Sequence, residues 1–337
     1  MRKTLLLLAA FMATFTTARA VDANTVEIVY SGTTATVSIA SNISSYVTVS
    51  SGTSSHVKIV QSESFAGVDA TVDNEDGEII YVLSGTSTDG EFYLEGSFKA
   101  TVELNGLTLT NPSGPAVNIQ DGKRISVSAK KGTTNTLTDG ANDTYNGCFH
   151  CKGHTKFKGK GTLTVVGNSK HAIYSKEYIE VKNCTINVTA AAKDAIHCKE
   201  YFLQESGTIK ITGATDDGIQ VELDGTASTG ATTGHEDEDS GNFYQTDGTL
   251  SISGFGGKAI KADGSVSLLT GKYSGFALTD VSENNATRIC LTAIDATGHQ
   301  PVAVYDLSGH RLSASAALAP GLYLVKRDGK LVKTLVK

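Results

Sequence analysis

The sequence contains no tryptophan and only four prolines, and it has no excess of positive charge, because 35 acidic residues outnumber 29 lysines and arginines to give a net charge of −6. No basic stripe with interleaved aromatic residues is visible, which argues against a nucleic-acid partner. What the chain has in abundance is glycine, at 35 of 337 residues, together with serine, threonine and alternating valine and isoleucine. This composition indicates an all-β protein with ample length for a core.

The apolar run near the amino terminus is too short to cross a membrane. Arg2 and Lys3 precede it, and Ala18-Arg-Ala20 follows it as a small-residue cleavage site. Residues 1–20 are therefore predicted to be a secretory signal peptide, and the mature protein is predicted to be secreted or held at the cell surface. Because no cysteine follows the signal directly, a lipoprotein anchor is not expected.

A repeat of constant length runs through the middle of the chain. Its central isoleucines are Ile173, Ile196 and Ile219, so the two steps are equal, 196 − 173 = 23 and 219 − 196 = 23. A fixed period in the low twenties is typical of a solenoid, and the leucine and asparagine frame of leucine-rich repeats is absent. We therefore predict a parallel β-helix with about 22–24 residues and about three short strands in each coil.

The domain organisation follows from where this repeat begins, breaks and fades. We assign residues 21–278 to the β-helix, with 21–65 as short strands that cap one end. One step, 260 − 219 = 41, exceeds the period by 18 and produces a polar loop over 223–245, which is either a site of function or a solvated loop. Residues 279–286 are predicted to be a linker, and 287–337 a small antiparallel β module with Ser-Gly, Pro-Gly and Asp-Gly turns.

Five cysteines in an exported chain raise the question of disulfides. Cys151 and Cys198 hold the same position two coils apart, which puts them roughly 9–10 Å from each other and too far for a bond. Cys148 and Cys151 have the spacing of a zinc or redox pair, but no second pair completes a tetrahedral site. The cysteines are therefore predicted to be small buried residues of the solenoid.

Acidic residues stack in the turns before the central isoleucines. Asp194 and Asp217 hold the same position in neighbouring coils, and Asp216 lies beside them. Exposed carboxylates at that spacing repel each other, and a bridging cation would relieve the repulsion. Oxygen ligands on a rigid scaffold suit Ca²⁺, so these three residues are candidate calcium ligands. The alternative is that the aspartates cap tight turns by accepting hydrogen bonds from backbone amides.

A lysine column is expected three residues after the central positions, at Lys152, Lys176 and Lys199. These lysines would repel one another unless Glu177 and Glu200 or a bound anion neutralise them. Lys176 and Lys199 are therefore candidate ligands for an acidic polysaccharide such as polygalacturonate. The alternative is a solvated charged face.

Two tyrosines, Tyr178 and Tyr201, also stack one period apart, and aromatic faces pack well against sugar rings. Ile179 and Phe202 follow them, and alternation along a strand places one residue of each pair inside. We expect Ile179 and Phe202 in the core and the tyrosines on the surface, where they would contact carbohydrate.

Several phrases of the chain resemble the secreted, carbohydrate-binding β-helix proteins that are related in shape to pectate lyases. They are YVLSGTSTDG (81–90), LNGLTL (104–109), GPAVNI (114–119), GTTNTLTDG (132–140), KDAIH (193–197) and DDGI (216–219). The resemblance implies a right-handed parallel β-helix, bound calcium, and binding of cellulose-like or acidic plant polysaccharides. Asp194, Asp216 and Asp217 match the acidic phrases of that family, whereas His171 departs from them.

The carboxyl-terminal module resembles the sorting domain recognised by the type IX secretion system of the Bacteroidetes. The matching phrases are YDLSG (305–309), PGLY (320–323) and the basic end. The resemblance implies an export address that carries no chemistry and a partner in the secretion machinery.

The sequence thus favours a secreted, non-catalytic polysaccharide-binding protein. The second alternative is an enzyme, a calcium-dependent polysaccharide lyase. Such a lyase needs a base, but no arginine lies near the aspartates, and Arg124 is several coils away. A surface adhesin or structural protein without sugar specificity is the third alternative.

Overall fold

The computed structural model describes residues 21–62, 77–141, 143–226, 235 and 237–282, and the backbone of five further strands between 288 and 336. The predicted signal peptide, residues 1–20, lies outside this part of the chain. The amino-terminal strands are β1 (Thr25–Ser31), β2 (Thr34–Ile39), β3 (Val47–Val49), β4 (His56–Gln61), β5 (Ile79–Ser87), β6 (Glu91–Gly96) and β7 (Ala100–Asn111).

The end of the solenoid is closed by antiparallel pairs. β2 pairs with β1 and β3 with β4, whereas β1 and β4 pair in parallel with β5 and β6. These short outer strands cover the backbone groups that the first coil would otherwise expose, as the sequence analysis predicted. Gly85 marks a bulge in β5, where a side chain would meet the carbonyl of Tyr30 at 2.2 Å.

The regular coils follow, three strands to a coil. Their strands are β8 (Val117–Asp121), β9 (Ile125–Ala129), β10 (Thr134–Asp139), β11 (Gly147–Cys151), β12 (Thr155–Gly159), β13 (Thr162–Gly167), β14 (His171–Ser175), β15 (Ile179–Val181), β16 (Thr185–Ala191), β17 (Ile196–Lys199), β18 (Tyr201–Gln204), β19 (Thr208–Ile211), β20 (Ile219–Glu222), β21 (Asn242–Gln245), β22 (Thr249–Ile252), β23 (Ile260–Ala262), β24 (Val266–Thr270) and β25 (Tyr273–Ser274).

Stacked coils give three parallel faces. Face I is the sheet that runs from β3 and β4 through β6, β8, β11, β14, β17 and β20 to β23. Face II stacks β9, β12, β15, β18, β21 and β24, and face III stacks β10, β13, β16, β19, β22 and β25, with the long β7 pairing into both. The prediction of an all-β, parallel β-helix with three strands per coil is confirmed.

The core is a set of apolar columns that follow the predicted period. Ile173 pairs with Ile196 and Ile219 pairs with Ile260, all of them buried. Ile179 and Phe202 are also buried as predicted, and the Phe202 ring stacks on Phe243 with centroids 5.1 Å apart. Such columns form because every second side chain of a strand points inward and each coil covers the one before it.

The four cysteines whose side chains are described are free and buried, which confirms their predicted role as small core residues. Cys290 lies on a strand whose side chains are outside the described part of the chain.

The solenoid sheet continues past residue 278, where the sequence analysis placed the end of the β-helix. Val281 is buried and forms a bridge with Ile260, and β26 (Arg288–Thr292) pairs in parallel with β24. A separate antiparallel sheet then follows, as predicted for the carboxyl-terminal module. Its strands are β27 (Ala303–Tyr305), β28 (Arg311–Leu312), β29 (Gly321–Arg327) and β30 (Lys330–Val336).

Candidate functional site

The outer surface of face I carries a column of polar and aromatic side chains, which we call the central column. Its members each follow a buried apolar residue by one position, so strand alternation points them outward. The backbone register places them in consecutive coils: Tyr93, Asn118, His150, Tyr174, His197, Gln220 and Lys261. The column therefore runs along the solenoid axis with one side chain per coil.

The rings in the middle of this column stack on one another. His150 and Tyr174 are nearly parallel, at 7° with centroids 5.2 Å apart, and Tyr174 and His197 follow at 5.4 Å and 28°. Burial, followed by the nearby charge of Lys170, lowers the pKa of His150 to about 4, so this imidazole is neutral at physiological pH. Since the faces are used in stacking and Tyr174 and His197 are each only 8% exposed, only ring edges reach the surface, which suits hydrogen bonding better than ring-on-ring contact.

The predicted lysine column runs beside the central column, two residues further along each strand. Lys152 and Lys176 are exposed, and Lys199 is half-buried, with its Nζ 3.0 Å from Asp224 Oδ1. The hydrogen bond to Asp224 raises the pKa of Lys199. The idea that Glu177 and Glu200 neutralise these lysines is wrong, because both carboxylates pair with His154 at 2.6 and 3.3 Å.

Asp194 and Asp217 were expected as exposed carboxylates, and that expectation is wrong, since each residue is only 2% exposed. Asp194 Oδ1 accepts a hydrogen bond from the amide of Asp217 at 3.0 Å, and Asp217 Oδ1 accepts one from the amide of Lys258 at 2.6 Å. Each aspartate therefore caps the turn of the next coil, which is the alternative that the sequence analysis left open.

The second oxygen of Asp194 faces two imidazoles. His197 Nδ1 lies 2.9 Å and His171 Nδ1 3.2 Å from Asp194 Oδ2. Burial alone would raise the pKa of Asp194, but the contacts with His171 and His197 outweigh it and hold that pKa well below its usual range. Burial lowers the pKa of His171. Asp194 is thus an ionised carboxylate at the centre of a cluster that spans two coils.

The three predicted calcium ligands do lie together, with one oxygen each of Asp194, Asp216 and Asp217 within 4.8 Å of one another. Both oxygens of Asp194 already face donors, whereas Asp217 Oδ2 is buried without a hydrogen-bond partner. The Lys261 ammonium stands 3.3 Å from that oxygen and occupies the place of a cation. The donors fit Ca²⁺ only when the Lys261 side chain, which is 46% exposed, moves away.

Tyr178 and Tyr201 are not on the surface, and this expectation too is wrong: they are 2% and 0% exposed. Their rings stack on each other at 4.7 Å, and His154 lies on Tyr178 at 4.2 Å. The inserted loop covers the other end of the stack through His235, which packs against Tyr201. Neither tyrosine offers a ring face to a sugar.

A cavity of about 340 Å³ opens at the amino-terminal end of face I. His56, Glu91, Asp143 and Tyr145 are among its lining residues, and the Tyr145 ring lies 5.2 Å from that of His150. Two carboxylates give this end of face I a negative character, in contrast to the lysines of the middle coils.

Sequence reasoning missed His150, Tyr174 and His197 as outward-pointing residues of face I, of which Tyr174 and His197 are each only 8% exposed. The signal was present, because each follows a central apolar residue by one position in every repeat. Tyr178 and Tyr201, five residues after the central isoleucines, are the more conspicuous pair because they are identical in type. The residue type alone does not show whether a side chain will be covered by a loop.

Comparison with known proteins adds a family and a fold. The family model described as "Carbohydrate-binding domain-containing protein" matches residues 66–300 of the chain. A solved structure described as that of the polysaccharide lyase-like protein from C. thermocellum, in a gadolinium derivative, is similar with a TM-score of 0.57 and 22% sequence identity, over 80% of this chain and 95% of that chain. At that identity the likeness shows the fold alone.

No curated protein matches the chain. Within the described residues, no helix is long and apolar enough to cross a membrane.

Proposed function

Because the chain belongs to the family of carbohydrate-binding domain-containing proteins, we propose that it binds an acidic polysaccharide without cleaving it. The observation that carries the proposal is the arrangement on face I, where Lys152, Lys176 and Lys199 run parallel to the edges of the central column. A chain laid along the solenoid axis would meet one lysine and one ring edge per coil, so contacts repeat as sugar units repeat.

The energetics favour a charged ligand. A lysine and a carboxylate 4 Å apart attract each other by about 1 kcal/mol in bulk water and by up to about 4 kcal/mol near a protein surface. Several such contacts add along a polymer, whereas a neutral glucan gains none of them. Binding is therefore expected to weaken as salt screens the exposed lysines.

Affinity electrophoresis tests the proposal, using gels that contain polygalacturonate, a neutral glucan or no polymer, each at low and high salt. The double substitution Lys152→Ala with Lys176→Ala should weaken retardation in polygalacturonate about tenfold or more, since each 1.4 kcal/mol corresponds to a factor of about ten. The matched control is Lys130→Ala with Lys182→Ala, which removes the same charge next to faces II and III, where those lysines pair with Glu103 and Glu205. Equal retardation of both double variants would place the site elsewhere.

We propose that Ca²⁺, when it binds, replaces the Lys261 ammonium beside Asp216 and Asp217. We expect Lys261→Met to bind Ca²⁺ more tightly than the parent in calorimetric titration, because the competing cation is gone. Lys272→Met is the control, since its ammonium pairs with Asp247 at 3.5 Å. Unchanged calcium affinity in Lys261→Met would remove Ca²⁺ from this trio.

A polysaccharide lyase is the second candidate, and a specific observation favours it. His197 is oriented by Asp194 through its Nδ1, as a general base often is. Arg124 does not qualify as the base, because it is buried against Glu78. A lyase releases unsaturated products that absorb in the ultraviolet, so incubation with polygalacturonate distinguishes a lyase from a protein that only binds the polymer. A surface adhesin would neither bind nor cleave the polymer.

We propose further that the chain is exported, with 1–20 as the signal peptide and 287–337 as a type IX sorting module. The sequence phrases named above support this, together with the antiparallel sheet of β27–β30. Fractionation of cells that express the chain with and without residues 287–337 tests the assignment. Equal surface amounts of both forms would refute the sorting role.

A further inference from the structure

His171, Asp194 and His197 form a cluster beside the lysine column, and His197 also belongs to the central column. His171 begins β14, Asp194 lies in the turn before β17, and His197 is on β17. The stacking of these two coils brings His171 Nδ1, Asp194 Oδ2 and His197 Nδ1 within 4.8 Å of one another. All three residues are buried.

One buried atom of this cluster lacks a hydrogen bond. His171 Nδ1 is buried and makes no hydrogen bond, although it lies 3.2 Å from Asp194 Oδ2. The side chain of His171 is only 9% exposed, and its ring centroid is 4.5 Å from that of His197. An unpartnered nitrogen at this depth normally costs free energy, because water cannot reach it.

The spacing fits a small divalent ion. Tetrahedral zinc with ligand bonds of about 2.0–2.2 Å places its ligand atoms about 3.3–3.5 Å apart. The two nitrogen–oxygen distances here are 2.9 and 3.2 Å, so shifts of a few tenths of an ångström would admit the ion. Two imidazoles and one carboxylate are a set that suits zinc and its neighbours, whereas Ca²⁺ prefers oxygen ligands alone.

The groups behind the cluster are also those of a metal site. His197 directs its other nitrogen, Nε2, toward Glu222 Oε2 at 3.4 Å, and Asp194 Oδ1 accepts a hydrogen bond from the amide of Asp217. Such outer contacts orient the ligands of a bound metal ion. We propose that His171, Asp194 and His197 bind one zinc-type divalent ion, with a fourth position open to water or another ligand.

The test uses the full chain without an affinity tag, stripped of metal with a chelator and titrated with Zn²⁺, Co²⁺ or Ca²⁺. Zn²⁺ at about 100 times its dissociation constant should raise the melting temperature on the order of 5 °C, and Ca²⁺ should not reproduce the shift. His171→Gln should bind Zn²⁺ at least about 100-fold more weakly, since loss of outer contacts alone often costs about 10–100-fold.

Two controls keep the outcome decisive. His150→Gln removes a stacked imidazole of the central column, and His154→Gln disrupts the other histidine and carboxylate cluster, so both should retain zinc affinity. If His171→Gln fails to fold, zinc-edge X-ray absorption of the parent reports the ligands directly. Two imidazoles with oxygen support the proposal. Oxygen ligands alone, zinc loss in His154→Gln, or full affinity in a folded His171→Gln would each overturn it.

Discussion

His154 is expected to make the stability of the β-helix depend on pH. It lies in the turn between β11 and β12, with Nε2 2.6 Å from Glu177 Oε2 and 3.3 Å from Glu200 Oε2. Burial alone would lower its pKa, but the hydrogen bonds to Glu177 and Glu200 outweigh burial and raise the pKa to about 9. The imidazolium also rests on the face of Tyr178, which favours the charged form.

The sign and size follow from linkage. Because the pKa in the folded chain lies above that of an unfolded histidine, the stabilisation is complete below about pH 6.5 and is lost as the pH rises through about 9. The difference between 6.5 and about 9 corresponds to about 3 kcal/mol, and partial exposure of the three side chains reduces it to roughly 2 kcal/mol. In a domain of this size that is a change in melting temperature of about 5 °C.

Thermal melting between pH 6 and 10 measures this dependence. The double substitution Glu177→Gln with Glu200→Gln should lower the melting temperature at pH 6.5 and flatten the decline toward pH 10. Glu180→Gln is the control, because Glu180 contacts Lys156 and not His154. A parent whose melting temperature declines no more steeply between pH 7 and 10 than that of the double variant would refute the reasoning.

Three further outcomes are expected. Arg124→Met should destabilise the fold by about 3–5 kcal/mol in urea titration, since it leaves the Glu78 carboxylate buried without its partner, whereas Glu78→Gln with Arg124→Met should recover part of the loss. Gly140→Ala should lower the melting temperature more than Gly106→Ala, because the added carbon would meet the Pro112 carbonyl oxygen at 1.9 Å while at Gly106 only the positive φ opposes it. A reductant should leave the melting temperature unchanged, because the four described cysteines are free.

The fold could be predicted from the sequence because one period controls both local and global structure. The constant step between coils fixes which residues stack, and alternation fixes which of them point inward. That is why spacing alone assigns Ile179 and Phe202 to the core. Each coil packs only on its neighbours, so the same spacing rule applies from coil to coil.

The site could be predicted only in part, because spacing says which residues align and not what surrounds them. Asp194 and Asp217 do align, but their burial depends on His171, His197 and the turn of the following coil. Lys261 is far from Asp217 along the chain, beyond the inserted loop, and reaches it only because β23 pairs with β20. Contacts of this kind depend on side-chain length and direction, which a repeat pattern does not encode.

The inserted loop contributes to the burial of Tyr178 and Tyr201. Of the loop 223–245, the structure describes 223–226, 235 and 237–245. Asp239 accepts hydrogen bonds from the amides of Asp224 and Gly225, and Glu238 accepts one from the hydroxyl of Tyr244. These hydrogen bonds tie the described parts of the loop together beside face II, where His235 packs on Tyr201 and Tyr244. Asp224 of the same loop pairs with Lys199 at one end of the lysine column, whereas Lys152 and Lys176 are exposed on face I.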